Sequence, residues 1–272
     1  MVLLLSIPSN GTKTARYRSG SEPLSGLTSI ADADCRGCPR QPPDPITEVM
    51  YGYTVWTCIG MSEVAARERI LETGIVAIIR GIEPDVCSEV VDAIAAGGVD
   101  AIEITANTPG AVEMIRRLSA EHDDVAIGAG TVLDAETARA VQLAGAEFVV
   151  TPTVNADVIE TCNRYETAVA TGVMTPTEAL TATEAGADFC KLFPASTVGP
   201  EQVSAINGPL PQVSLIPTGG VSLDNAAAFF DAGAVALGVG SAIVDGDAID
   251  NGEFGELTEA ASEFTALAET HR

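Results

Sequence analysis

Lysine is almost missing from this chain. Of 14 basic residues only Lys13 and Lys191 are lysines, against 38 acidic residues in 272, for a formal charge of -24. A chain this negative is repelled by phosphate backbones and anionic headgroups, which makes nucleic acid and membranes poor partners. No apolar run approaches the roughly 18 residues of a membrane helix. Histidine occurs twice, at His122 and His271, far from Cys35 and Cys38, whose C-x-x-C spacing has no second pair. That argues against a zinc site. The other four cysteines are scattered, as in a reduced cytosolic fold. A hydrophobic share of 46% with 19% charged residues excludes disorder for most of the length.

The charge that is present is unevenly placed. Residues 1–60 hold five bases and five acids, so residues 61–272 carry the whole excess, 9 bases against 33 acids. The shift coincides with the end of a stretch rich in Pro, Ser, Gly and Thr and sets a boundary near Met61. Residues 1–60 are expected to be a disordered tail or a mis-called start, and residues 61–272 a single domain. The VLLLSI run lacks a preceding basic residue and a clean cleavage site, so a cytoplasmic location is expected rather than export. An acidic, lysine-poor surface suits a cytosol of high salt, where charge is screened within a few ångströms. Lys191, alone in the acidic part, then has a reason to exist other than solubility.

From Met61 onward, apolar runs of strand length recur at 75–79, 99–105, 125–130, 147–150, 167–170, 188–193, 213–219 and 234–240. Segments with helical spacing lie between them, at 85–96, 109–120, 135–144, 156–165, 176–185 and 223–232. Near-continuous apolar strands suit a parallel sheet covered on both sides. Four Ala-Gly pairs, at Gly97, Gly145, Gly186 and Gly233, end helical segments 48, 41 and 47 residues apart. Glycine is favoured there by the left-handed conformation that commonly follows a helix. Four two-strand units predict an α/β fold, a (β/α)8 TIM barrel with a short N-terminal helix. An open doubly wound sheet is the alternative, weakened by the lack of G-x-G-x-x-G after the first run.

Barrel chemistry gathers at the C-terminal ends of strands. Lys191 lies within the apolar FCKLFP, where an ammonium must be paired or give up its proton. A neutral amine attacks a keto group and forms a Schiff base; the competing reading is a buried Lys-Glu pair without chemistry. Glu103, between Ile102 and Ile104, should point into the barrel, where a carboxylate can shuttle protons for such a lysine. The turns P-T-G-G-V (217–221) and G-V-G-S (238–241) offer backbone N-H groups to a phosphate, or merely tight corners. Thr131, after G-A-G, can hold a small carboxylate or cap the next helix. Arg80, ending IVAIIR, can clamp a carboxylate or pair with a surface acid.

Six segments in order, IVAIIRGIEPD, GGVDAIEITANTP, IGAGTVLD, FVVTPTVNADVIE, GVMTPTEALTATEAGADFCKLFPAS and IPTGGVSLDNAAAFFDAGAVALGVGSAIV, resemble the 2-keto-3-deoxy-6-phosphogluconate/2-keto-3-deoxy-6-phosphogalactonate (KDPG/KHG) class I aldolases over about residues 62–245. The resemblance implies cleavage of such a phosphorylated keto acid to pyruvate and glyceraldehyde 3-phosphate. Lys191 in KLFPA would form the Schiff base, and Glu103 would be the general acid/base. Thr131 would bind the pyruvyl carboxylate, and Gly219, Gly220, Gly240 and Ser241 the phosphate. Thr151, Pro152 and Phe193 would complete the substrate pocket, with no metal or other cofactor. Phosphogluconate members usually carry an arginine shortly after the glutamate, where this chain has Asn107; Arg80 would replace that cation, as in the phosphogalactonate branch. The resemblance also implies a homotrimer. A sugar-phosphate isomerase or epimerase, or a non-catalytic binding barrel, would use the same turns without a Schiff base.

Overall fold

The computed structural model describes residues 61–272, so the tail of residues 1–60 and the Cys35/Cys38 pair lie outside the described residues. The chain opens with helix α1 (Met61–Thr73) and runs β1 (Ile75–Ile79), α2 (Cys87–Ala96), β2 (Ala101–Thr105), α3 (Ala111–Glu121), β3 (Ala126–Gly130) and α4 (Ala135–Leu143). It continues through β4 (Phe148–Val150), α5 (Ala156–Arg164), β5 (Ala168–Val173), α6 (Pro176–Glu184), β6 (Phe189–Leu192) and α7 (Ala195–Asn207). It ends with β7 (Leu215–Pro217), α8 (Leu223–Asp231), β8 (Leu237–Val239), α9 (Gly246–Asn251) and α10 (Phe254–His271).

Each strand from β1 to β6 pairs in parallel with the next, and β8 pairs with β1. An isolated parallel bridge between Thr218 and Gly238 joins the ends of β7 and β8 and closes the ring. The open doubly wound sheet is thereby excluded.

The period of two along each strand sorts the core into two shells. Ile75, Ala77, Ile79, Ile102, Ile104, Ile127, Val149, Val169, Cys190, Leu192, Leu215 and Leu237 face the helices. Val76, Ala101, Ala126, Phe148, Val150, Ala168, Ala170, Phe189, Ile216 and Ala236 face inward. The inner shell is half alanine because an eight-stranded ring leaves little volume, which Phe148 and Phe189 fill. Each of those rings contributes about 2–3 kcal/mol by leaving water. Ala66 and Ile70 of α1 join this inner set, so α1 plugs the N-terminal mouth of the barrel.

Helix starts follow local chemistry. Asp134 caps α4 by accepting from the Thr137 N-H at 2.6 Å, and Asn155 caps α5. Thr175 and Glu178 form a capping box around Pro176 at α6. The expectation for the Ala-Gly pairs needs one correction: Gly145, Gly186 and Gly233 are left-handed, but in the first unit that role falls to Gly98 rather than Gly97. Three further helices were not among the segments expected from spacing. In α7, Gly199 (φ 70°) and Pro200 interrupt the helix; α9 is short; α10 has a stripe of Leu257, Ala261, Phe264 and Ala268, half of it alanine.

Candidate active site

The inward parity of β2 and β6 brings Glu103 and Lys191 to the same cavity. The Lys191 Nζ stands 3.7 Å from Glu103 Oε2, and the two residues are 6% and 1% exposed. Around them lie Ile70, Val76, Phe148, Val150, Ala170 and Ile216, with Thr218 and Gly238. The walls are thus apolar, and an ion pair this dry is held by geometry rather than by water. Glu103 Oε1 is buried and has no hydrogen-bond partner among the described residues. Such an atom is expensive to bury unpaired unless a ligand or a water satisfies it.

Glycine at 130 makes this possible. A Cβ at Gly130 would overlap Glu103 Oε1 and Cδ, so the carboxylate lies directly against the β3 backbone, with which β2 pairs in register. The next residue, Thr131, has φ 56°, a left-handed conformation that a β-branched residue adopts only at a cost of about 1–3 kcal/mol. The strain turns the Thr131 hydroxyl toward Arg80, whose Nη2 donates to it at 3.3 Å, while Nη1 donates to Asn107 Oδ1 at 3.3 Å. Capping by Thr131 is excluded, because Asp134 does that work. Arg80 meets no carboxylate among the described residues and is held by two neutral oxygens, leaving its charge uncompensated at the exposed mouth.

The remaining expected residues divide. Phe193 lies just past the end of β6, two residues after Lys191, its ring centroid 5.4 Å from Nζ and its edge against Gly219. The Pro152 carbonyl lies on Gly172, which pairs in register with Lys191. Thr151 is different. Its hydroxyl donates to the Thr153 carbonyl at 2.6 Å and meets the Thr171 hydroxyl at 2.9 Å, on the parity that faces away from the cavity. The structure does not bring that hydroxyl to Lys191. Gly219 (φ 87°) and Gly220 (φ 80°) make a doubly left-handed turn open only to glycine, immediately before α8. Gly240 and the exposed Ser241 follow β8 next to it, so the two turns share one side of the mouth.

Thr218 and Gly238, from the two glycine-bearing turns expected at the strand ends, line the cavity; Ile70, which spacing did not single out, arrives from α1, which only tertiary packing reveals. Cys190, next to Lys191 but facing the helices, has its thiol pushed up by burial, partly offset by a hydrogen bond with Thr183, and is a packing residue. Among the described residues no group of three or more His, Cys, Asp or Glu is placed to hold a metal.

Known proteins resemble this chain in sequence and fold. The family model described as KDPG and KHG aldolase matches residues 66–260. The chain is 40% identical over 169 residues to the 2-dehydro-3-deoxy-6-phosphogalactonate aldolase of Escherichia coli, covering 61% of this chain and 82% of that one. It is 37% identical over 182 residues to the 2-dehydro-3-deoxy-phosphogluconate aldolase of Pseudomonas aeruginosa, covering 66% and 83%. Among solved structures, a KDPG aldolase of Legionella pneumophila with pyruvate captured as a covalent carbinolamine superposes with a TM-score of 0.68 at 28% identity, covering 72% of this chain and 96% of the other.

Proposed function

The chain belongs to the KDPG and KHG aldolase family, and from that premise we propose how its own residues carry out the Schiff-base cleavage of a 2-keto-3-deoxy-6-phospho sugar acid. It is a carbon-carbon lyase, an aldehyde-lyase of class I. Lys191 Nζ attacks the C2 keto carbon, and Glu103 protonates the departing carbinolamine hydroxyl, which leaves as water. The resulting iminium is the electron sink. Glu103 then takes the C4 hydroxyl proton, the C3-C4 bond breaks, and its electron pair moves into the enamine as glyceraldehyde 3-phosphate leaves. Protonation at C3 and hydrolysis of the iminium release pyruvate and return the amine.

The observation that carries this reading is the Lys191–Glu103 pair at 3.7 Å with Glu103 Oε1 unpartnered. A proton shuttle needs an oxygen free for the substrate, and Oε1 is not taken by any described residue. Arg80 and Thr131 receive the pyruvyl carboxylate at one side of the mouth. Gly219, Gly220, Gly240 and Ser241 receive the phosphate at the other, with Phe193 between. Incubation with pyruvate and borohydride is expected to add one reduced pyruvyl group at Lys191, read by peptide mass. An unmodified Lys191 would sink the Schiff-base assignment.

The finer features rest on composition and resemblance. The acidic, lysine-poor surface supports a cytoplasmic enzyme suited to high salt, checked by activity against KCl, and the family resemblance supports a homotrimer, checked by sedimentation. Asn107 and Arg80 support acceptance of both C4 epimers; Asn107→Arg should shift preference toward the gluconate epimer in kcat/KM.

A further inference from the structure

The connection from β1 to α2 begins at Arg80 and has little to hold it. Gly81 is exposed, takes φ 69°, and nothing would meet a Cβ there. What fixes it comes from the neighbouring β2–α3 turn. The Gly81 N-H donates to Thr108 Oγ1 at 3.0 Å. Thr108 is itself 5% exposed, and its hydroxyl meets that of Thr105, which is 0% exposed, at 2.9 Å. One hydroxyl proton joins the two threonines while a Thr108 lone pair takes the Gly81 N-H, so the acceptor that holds Gly81 is itself fixed by a buried neighbour. The adjacent residue, Asn107, accepts from the Arg80 guanidinium. A single turn therefore grips Arg80 twice, through its side chain by Asn107 and through its backbone by Thr108. Farther along the same connection, the Arg117 guanidinium of α3 donates to the Pro84 carbonyl and to Cys87 Sγ.

We infer that Thr108 is a positioning residue, which sets where the Arg80 cation meets the substrate carboxylate by fixing the Gly81 backbone. The inference rests on the reading of Arg80 as the carboxylate ligand. Arg80 is exposed and bonded only to neutral oxygens at 3.3 Å, long for charged donors, so its side-chain contacts alone do not pin it. Thr108 contributes the buried end of the hold. It touches no reacting atom, and its effect should pass entirely through Arg80.

The test uses the pyruvate-borohydride reaction on the full chain, measuring the rate of Lys191 modification against pyruvate concentration. Thr108→Val keeps the shape and removes the acceptor. It should raise the half-saturating pyruvate concentration about tenfold while the rate at saturation is kept, the signature of lost ground-state binding. Thr108→Ser should restore the wild-type value. In an Arg80→Ala background the same Thr108→Val change should have no further effect, because the two act as one unit. A shift of equal size in both backgrounds, no shift at all, or a fall in the saturated rate would overturn the inference and leave the aldolase reading intact. Arg80→Ala with unchanged half-saturation would overturn the Arg80 assignment and this inference with it. No modification of the wild-type chain would instead overturn the Schiff-base reading from which both start.

Discussion

At the N-terminal end of the barrel one arginine is shared among several acids, whereas at the C-terminal end several polar groups are held ready. Arg69 of α1 faces the carboxylates of Asp100 and Glu147 and donates to the Asp123 carbonyl. Asp188 accepts the Val169 N-H at 2.9 Å, and Ile70 and Ala66 plug the opening. At the other end, among the described residues, Glu103 Oε1 has no partner and the Arg80 charge has no acid, and Thr131 holds a strained φ. The same strands thus serve stability at one mouth and chemistry at the other. Unsatisfied or strained groups persist only where the surrounding fold over-determines them, and here they gather at one end of the barrel.

The largest effects should come from the ready end. Lys191→Ala is expected to abolish both turnover and pyruvate trapping. Glu103→Gln keeps the shape and should lower kcat by about 10²- to 10⁴-fold, the usual range for a positioned acid/base group, while Lys191 still forms a slow adduct. Full activity in either variant would dissolve the contrast between the two mouths.

A second experiment makes one substitution at two glycines. Gly130→Ala would drive a methyl into the Glu103 carboxylate, and the buried β3 backbone has no room to retreat. Displacing that carboxylate by about 1 Å should reduce kcat roughly 10²-fold. Gly97→Ala meets the Ala261 methyl and the Thr258 carbonyl where α10 packs on α2, away from the cavity. It should cost about 1–3 kcal/mol of stability by overpacking, with kcat unchanged in the folded fraction. Urea melts and steady-state rates on both variants check this; an activity loss at Gly97 matching that at Gly130 would contradict it.

Some of this was legible in the sequence because it is local. Each of the eight apolar runs overlaps a strand, since a strand buried on both faces is apolar at nearly every position. Lys191 and Glu103 stood out because a charge inside such a run needs a reason. The Ala-Gly repeat indicated four units, although a two-glycine sequence at 97–98 hid which residue turns left-handed. What could not be read is relational. The Thr151 hydroxyl is absorbed by Thr171, twenty residues away, and the need for glycine at 130 exists only because Glu103 lies against it. Ile70 reaches the cavity from a helix ahead of the barrel, and α7 was obscured by Gly199-Pro200, which break the helical period. The Thr108 acceptor for Gly81 joins two connections that no spacing rule links.

The smallest expected effect distinguishes the two mouths by pH. Burial pushes the Glu147 and Asp100 carboxyls up, only partly countered by Arg69. A carboxyl raised on folding binds more protons in the folded state, so its contribution is favourable at low pH and declines as pH rises from the unfolded value through the folded one. Glu147→Gln should remove part of that decline and leave the protein slightly more stable at neutral pH. Near the catalytic mouth, the carboxyls that cap α4 and α6 behave oppositely. Backbone N-H groups hold Asp134 and Glu178 below their ordinary values, so their contribution is present above the unfolded values and is lost as pH falls through the folded ones. Both caps are solvent-exposed, which keeps the effect small. Glu178→Gln should therefore flatten the acid limb of a urea-stability profile, and Glu147→Gln the limb between mild acid and neutrality. Identical changes from the two substitutions would mean that the two ends do not carry the opposite electrostatic roles assigned to them.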